Sequence, residues 1–175
     1  VALAATVLFI IAPEGFRDEE LLEPRRVLER HGVRVAVAST RPGAATGMLG
    51  ARVAVDCSVR DAMAERFDAL VIAGGAGSPT HLWDSEPVHR LVRRFHRAGK
   101  PIGAICLSGA VLARAGVLGG KRATVYPAAR AVVELKRGGA TYVDAPVVED
   151  GAVLTASGPE AAAAFGTAFL KHVSP

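Results

Sequence analysis

Short runs of apolar, β-favouring residues recur along this chain with helical patterns between them. That alternation admits few folds, because βαβ units must feed a mostly parallel sheet whose strands are buried on both faces. Thr6 to Ala12 reads as the first strand and Arg34 to Ser39 as the second. Between them Leu21, Leu22, Val27 and Leu28 give an imperfect helical stripe that Gly32 closes, with Pro24 either bending that helix or standing in an early turn. Ala69 to Ala73 is a third buried strand, ending on Gly74-Gly75-Ala76-Gly77. Glu86 to Ala98 places Val88, Leu91, Val92 and Phe95 on one helical face and stops at Gly99. Pro101 to Ile105 is a strand and Ser108 to Ala115 a helix. Ala123 to Val125, Thr141 to Val143 and Val147 to Thr155 are further strand candidates, with a hairpin turn at Glu149-Asp150-Gly151. The last helix buries Phe165 and Phe169 behind a capping box at Ser157-Gly158-Pro159-Glu160. The expectation is one α/β domain over residues 1–175, a flavodoxin-like sandwich with helices on both faces of the sheet.

Chemistry concentrates where Ile105 gives way to Cys106. Ala104 two residues before, and Ser108 and Gly109 just after, are the small neighbours that a tight strand-to-helix turn demands, so the stretch reads as a nucleophile elbow. Free N–H groups at the start of the next helix would favour thiolate over thiol. Spacing alone leaves a buried core cysteine as the alternative. In an open α/β sheet, sites gather at the carboxyl ends of strands, which brings the glycine turn beside the elbow. The N–H groups of Gly75 and Leu107 would then form an oxyanion hole. The acidic run Asp18-Glu19-Glu20 follows a third strand end, and a carboxyl near a thiolate in a dry cleft would have its pKa raised and could move protons. Spacing does not choose among the three.

Other functions fit poorly. The glycine turn matches neither a dinucleotide fingerprint nor a phosphate-binding loop, so no cofactor is expected. The five histidines and Cys57 show no metal-ligand spacing. The net charge of +4 owes much to Arg90, Arg93, Arg94, Arg97 and Lys100 on one helix, which reads as a solvated face rather than a nucleic-acid surface. Val1 to Ala12 is apolar but lacks a basic leader and is too short to span a bilayer, so no membrane is expected. With two cysteines and no secretory pattern, a reducing cytoplasm is the expected compartment. His81, at the end of the glycine loop, is a further candidate for the cleft or a subunit boundary.

Ala104-Ile105-Cys106, Val71-Ile72-Ala73-Gly74-Gly75, the stretch Ala115 to Thr124 with Tyr126-Pro127, and Phe16 to Pro24 together resemble the ThiJ/PfpI superfamily over nearly the whole chain. The superfamily has the class I glutamine amidotransferase-like fold and includes the parkinsonism-associated deglycase and archaeal intracellular proteases. The resemblance implies Cys106 as nucleophile, Gly75 and Leu107 as its backbone donors, and a homodimer. It selects Glu20, four residues before Pro24 in Glu-x-x-x-Pro, as the acid touching the sulfur, and leaves Asp18 structural. Two departures matter. Leu107 stands where protease-like members carry histidine, and Tyr126 where deglycase-like members do. The acid that protease-like members supply near the glycine loop is also missing, with Thr80 and His81 in its neighbourhood. Peptidase activity is therefore disfavoured.

The leading expectation is a cofactor-independent enzyme of small reactive carbonyls, of glyoxalase III or deglycase type, with a hemithioacetal on Cys106 and Glu20 as proton shuttle. Tyr126, His81 and Ser108 are the auxiliary candidates. Alternatives are a redox sensor or chaperone-like protein with an oxidisable Cys106, and a specialised tautomerase or hydratase.

Overall fold

The computed structural model describes residues 3–174. Val1, Ala2 and Pro175 lie outside the described residues, so the apolar opening is seen from Leu3, which is exposed rather than buried. Among the described residues twelve strands form: β1 (Thr6–Ile10), β2 (Glu14–Phe16), β3 (Arg34–Ser39), β4 (Ala44–Gly47), β5 (Arg52–Ala54), β6 (Cys57–Ser58), β7 (Ala69–Ile72), β8 (Ile102–Ile105), β9 (Arg122–Ala123), β10 (Thr141–Tyr142), β11 (Val147–Asp150) and β12 (Val153–Ala156). The helices are α1 (Asp18–Arg30), α2 (Ser78–His81), α3 (Glu86–Arg97), α4 (Gly109–Arg114), α5 (Ala129–Arg137) and α6 (Ala162–Val173).

Seven strands make the central sheet, in the order β11-β12-β8-β7-β1-β3-β6. All of its pairings are parallel except the β11-β12 hairpin. The strands β7, β8 and β12 are buried at every position, as the short apolar runs require when helices cover both faces. Registry aligns their carboxyl ends, with Ile10 opposite Ile72, Ile72 opposite Ala104 and Ile105 opposite Ala156. The loops that follow Ile10, Ile72, Ile105 and Ala156 therefore open at one edge of the sheet.

Packing explains two residues that look out of place. Gly103 in β8 leaves room for the Phe165 and Phe169 rings of α6, since a Cβ there would lie 2.5 Å from Phe165. Those rings sit 5.7 Å apart. Pro24 lies inside α1, where its missing N–H leaves the Glu20 carbonyl without the usual helical donor. Gly166 of α6 packs against its backbone, with a Cβ only 2.8 Å from the Pro24 Cα. Any side chain at 166 would push the two helices apart.

The structure departs from the sequence expectation in three places. Residues 122–123 and 141–142 pair with each other in a separate two-stranded ladder and do not extend the main sheet. The Ser157 capping box does not form: Gly158 precedes a 3₁₀ turn, Pro159–Ala161, with no side-chain cap, the Ser157 N–H that Glu160 would have to reach is taken by the Pro146 carbonyl at 3.0 Å, and α6 starts only at Ala162. The small sheet β2-β4-β5 and helix α5 come in addition.

Candidate active site

Cys106 is the one non-glycine residue among those described with a left-handed backbone, at φ +60°. A side chain pays steric strain there, and such strain persists only when the surroundings hold it. Here they do, at three consecutive residues. The Cys106 carbonyl accepts the Tyr126 N–H at 3.1 Å. The Leu107 carbonyl accepts the Trp83 indole N–H at 2.8 Å. Ser108 Oγ donates to the Ala73 carbonyl at 2.7 Å and meets Ser78 Oγ at 2.8 Å. Cys106 to Ser108 form a 3₁₀ turn that passes into α4.

The glycine turn closes the other side. Gly75 has φ +109°, and a Cβ there would strike Gly15 O at 2.5 Å. Bonds from Arg17 N to Gly74 O (2.9 Å) and from Gly77 N to Gly15 O (2.9 Å) lace this turn to the segment that leads into α1. The lacing brings the first turn of α1 under the elbow. Glu20 is fully buried there, and its Oε1 accepts the Gly74 N–H at 3.0 Å. Its Oε2 is buried and makes no hydrogen bond within normal geometry among the described residues, although the carboxyl and the sulfur lie close enough to shift each other's proton affinity.

Burial raises the Glu20 pKa to about 8, against the pull of the Cys106 side chain and the Gly74 N–H. Burial also pushes the Cys106 thiol up to about 12, aided by the Glu20 charge and opposed by the N–H groups of Leu107 and Gly75. The helix terminus therefore does not leave a free thiolate, contrary to the sequence expectation, because desolvation of a residue only 6% exposed outweighs two N–H donors. Proton affinity of the pair is shared. A protonated Glu20 removes its own negative charge from beside the sulfur, so each group sets the state of the other.

The remaining candidates separate. Asp18 turns away from the sulfur and accepts the N–H groups of Leu49 (2.9 Å) and Ala51 (2.8 Å), holding the loop between β4 and β5. Ser108 is fully buried and braces the elbow from behind, so it is not placed to meet a substrate. His81 ends the short α2 half-buried, with no side-chain hydrogen bond among the described residues. Tyr126 is 44% exposed and lines a cleft of about 320 Å³ with Pro127, Asp144, Gly158 and Glu160. That cleft lies beyond β12, whose last residue pairs with Ile105, so it opens beside the elbow. Sequence reasoning missed Arg17, which pairs with Glu19 at 2.6 Å and feels the charges of Glu20 and Cys106. It also missed Trp83.

Among the described residues no group of three or more His, Cys, Asp or Glu side chains could hold a metal ion, and no helix is long and apolar enough to cross a membrane.

Comparison with known proteins places this arrangement. Residues 5–172 match the model of the DJ-1/PfpI family. An uncharacterized protein of Methanocaldococcus jannaschii is 48% identical over 97% of this chain and 82% of its own length. A deglycase of Pyrococcus horikoshii is 38% identical over 83% of this chain and 85% of its own. Among solved structures, a ThiJ/PfpI domain protein from Brachyspira murdochii superposes with a TM-score of 0.92 at 28% identity, covering 97% of this chain and 96% of that one. DJ-1beta of Drosophila melanogaster gives 0.88 at 31% identity, covering 98% and 91%.

Proposed function

The chain belongs to the DJ-1/PfpI family, and from that premise we propose that it is a cysteine-dependent, deglycase-like enzyme acting on small reactive carbonyl compounds and their adducts. One observation carries the reading: a strained Cys106 stands against a fully buried Glu20 whose second carboxyl oxygen has no fixed partner. A carboxyl held near neutrality beside a sulfur is suited to move protons in both directions.

In this mechanism the sulfur adds to the aldehyde carbon of methylglyoxal while its proton passes by way of Glu20 to the aldehyde oxygen, giving a hemithioacetal. The N–H groups of Gly75 and Leu107 face the reacting centre and stabilise charge there, a contribution of about 3 kcal/mol per donor in known enzymes. Glu20 then takes the proton from the former aldehyde carbon and returns it to the neighbouring carbonyl carbon, while the hemithioacetal hydroxyl proton passes to the neighbouring oxygen, so that the first carbon becomes the carbonyl and the second the carbinol. A thioester of lactate results. Water cleaves it, releasing lactate and restoring the thiol. One water is consumed and no redox partner is needed. On an adduct, the same attack would expel the amine. The cleft at Tyr126 would receive the part of a substrate that projects from the elbow, and Asp144 and Glu160 on its wall disfavour an anionic group there.

Peptidase chemistry lacks the histidine that the family resemblance would supply, since Leu107 and Tyr126 stand at its two positions, and no histidine makes a hydrogen bond to Cys106 or Glu20 among the described residues. His31, His89 and His172 are engaged by Val27 O, Trp83 O and Glu149 respectively. A sensing role would need a free thiolate, whereas a thiol whose proton affinity is raised beside a proton-carrying carboxyl fits the enzyme reading. The test is lactate formation from methylglyoxal, and release of amine from its arginine adduct, by wild type, Cys106→Ala and Glu20→Gln. Loss of both activities in both variants is expected. Turnover that survives Cys106→Ala overturns the reading.

A further inference from the structure

We propose that Trp83 is a positioning residue for the nucleophile, pinning the strained turn that carries Cys106 through the Leu107 carbonyl. The inference rests on the reading of Cys106 as the nucleophile. Its starting point is the threefold restraint on the strained turn. Two of the restraints come from the main chain, through the Tyr126 N–H and the Ala73 carbonyl. The third comes from the side chain of Trp83 and acts on the carbonyl of the residue that follows the nucleophile. The Leu107 N–H lies in the same peptide plane as the Cys106 carbonyl, which the Tyr126 N–H holds at 3.1 Å, and the Trp83 bond at 2.8 Å fixes the next peptide plane, so the two ties together set φ and ψ of Leu107 and keep the strained turn in place.

The tie is itself immobile. Trp83 is 6% exposed, and its indole nitrogen is a donor only, so the bond has one polarity. The guanidinium carbons of Arg114 and Arg130 lie 5.1 and 5.6 Å from its ring centroid. Arg114 in turn grips both Glu134 oxygens, at 2.9 and 3.0 Å, and pairs with Asp84. His89 Nε2 lies 2.7 Å from the Trp83 carbonyl, which can only accept, so this nitrogen carries the proton. Backbone and ring of Trp83 are thus held separately. A donor anchored twice is more than core filling requires, since a phenylalanine would fill most of the same volume and leave the Leu107 carbonyl without this partner.

Trp83 is the single tryptophan of the chain, which permits a clean test. Growth of a tryptophan auxotroph on benzothienylalanine replaces the indole N–H by sulfur at this one position and keeps ring shape. Trp83→Phe provides a second variant. Iodoacetamide alkylation of Cys106 and Cys57 is followed by peptide mass spectrometry against pH, with no substrate present. The expected result is a fall of about tenfold in the Cys106 rate and a pH profile moved upward, with Cys57 unchanged, because a turn released at the Leu107 carbonyl holds the sulfur less well against the backbone N–H groups that favour the thiolate. Cys106 rates and profile within about twofold of wild type overturn the proposal, as does unfolding of both variants, which would assign Trp83 to stability alone. Failure of the enzyme reading is distinguishable: a wild type without carbonyl turnover discards that reading, while the alkylation shift still tests the positioning role.

Discussion

Asp18 and Glu20 are two residues apart on the first turn of α1 and both are buried, yet they are opposite kinds of carboxyl group. Asp18 has each oxygen answered by a backbone N–H of the loop between β4 and β5, so its charge is compensated and its geometry fixed. Glu20 has one oxygen answered by Gly74 and the other left over beside a sulfur. The difference teaches that burial does not mark a catalytic acid. What marks it is an oxygen that the fold leaves without a partner, since that oxygen is where a proton can come and go.

The sharpest way to break the comparison is to neutralise each acid. Glu20→Gln is expected to lower kcat by about 10²- to 10⁴-fold, the usual range for loss of a positioned proton carrier, with no loss of melting temperature. Gly74→Ala should share the loss of kcat and add a loss of stability, because the new Cβ would lie 2.6 Å from the Ile105 carbonyl oxygen as well as 2.8 Å from the Cys106 Cβ and 2.9 Å from Glu20 Oε1. Asp18→Asn should show the reverse pattern. Its amide must oppose one of the two N–H donors, so stability falls by about 1–3 kcal/mol in thermal unfolding while kcat per folded molecule holds. Gly47→Ala, whose Cβ would collide with the Asp18 carboxylate, should fail in the same way. If both acids gave one phenotype, the distinction would be lost.

A pH series sharpens the contrast further. Glu20 has its pKa raised from 4.5 to about 8, so between those values the folded chain holds a proton that the unfolded chain releases. The stability it lends is present in full below about pH 4.5 and declines as the pH rises to about 8, by up to about 1.4 kcal/mol per unit. Denaturant unfolding should show that decline in wild type and a flatter course in Glu20→Gln. The smallest effect belongs to the exposed Tyr126. Removing its hydroxyl, which has no hydrogen bond among the described residues, should change kcat/KM by about two- to fivefold, the worth of one modest hydrogen bond in solution. A loss near that of Glu20→Gln would make Tyr126 the stand-in for the family histidine.

Legibility in the sequence follows the range of the forces involved. Strands β1, β3, β7 and β8, helix α3 and the elbow are local patterns of apolar spacing and small residues, and they stand where those patterns put them. Helix α5 was readable from Ala131 and Leu135, one turn apart, and from Gly138 at its end. The sheet β2-β4-β5 was not, because its strands are three or four residues long and half exposed. Cys106 could be found from its neighbours. The choice of Glu20 over Asp18 could not be made from spacing, since it depends on where the loop 47–51 lies, and only the family resemblance selected it. Trp83 carries no local signal at all. Its partner is set by how the segment after α2 packs on the 3₁₀ turn that precedes α4.

The most direct test of the account is the pH dependence of Cys106 alkylation in wild type and Glu20→Gln, with Cys57 in the same molecule as the control. A coupled pair predicts a wild-type Cys106 profile with a break near pH 8, where Glu20 titrates, and loss of that break in Glu20→Gln while Cys57 stays the same. Identical Cys106 profiles in the two proteins would contradict it, and would make Glu20 a buried acid like Asp18.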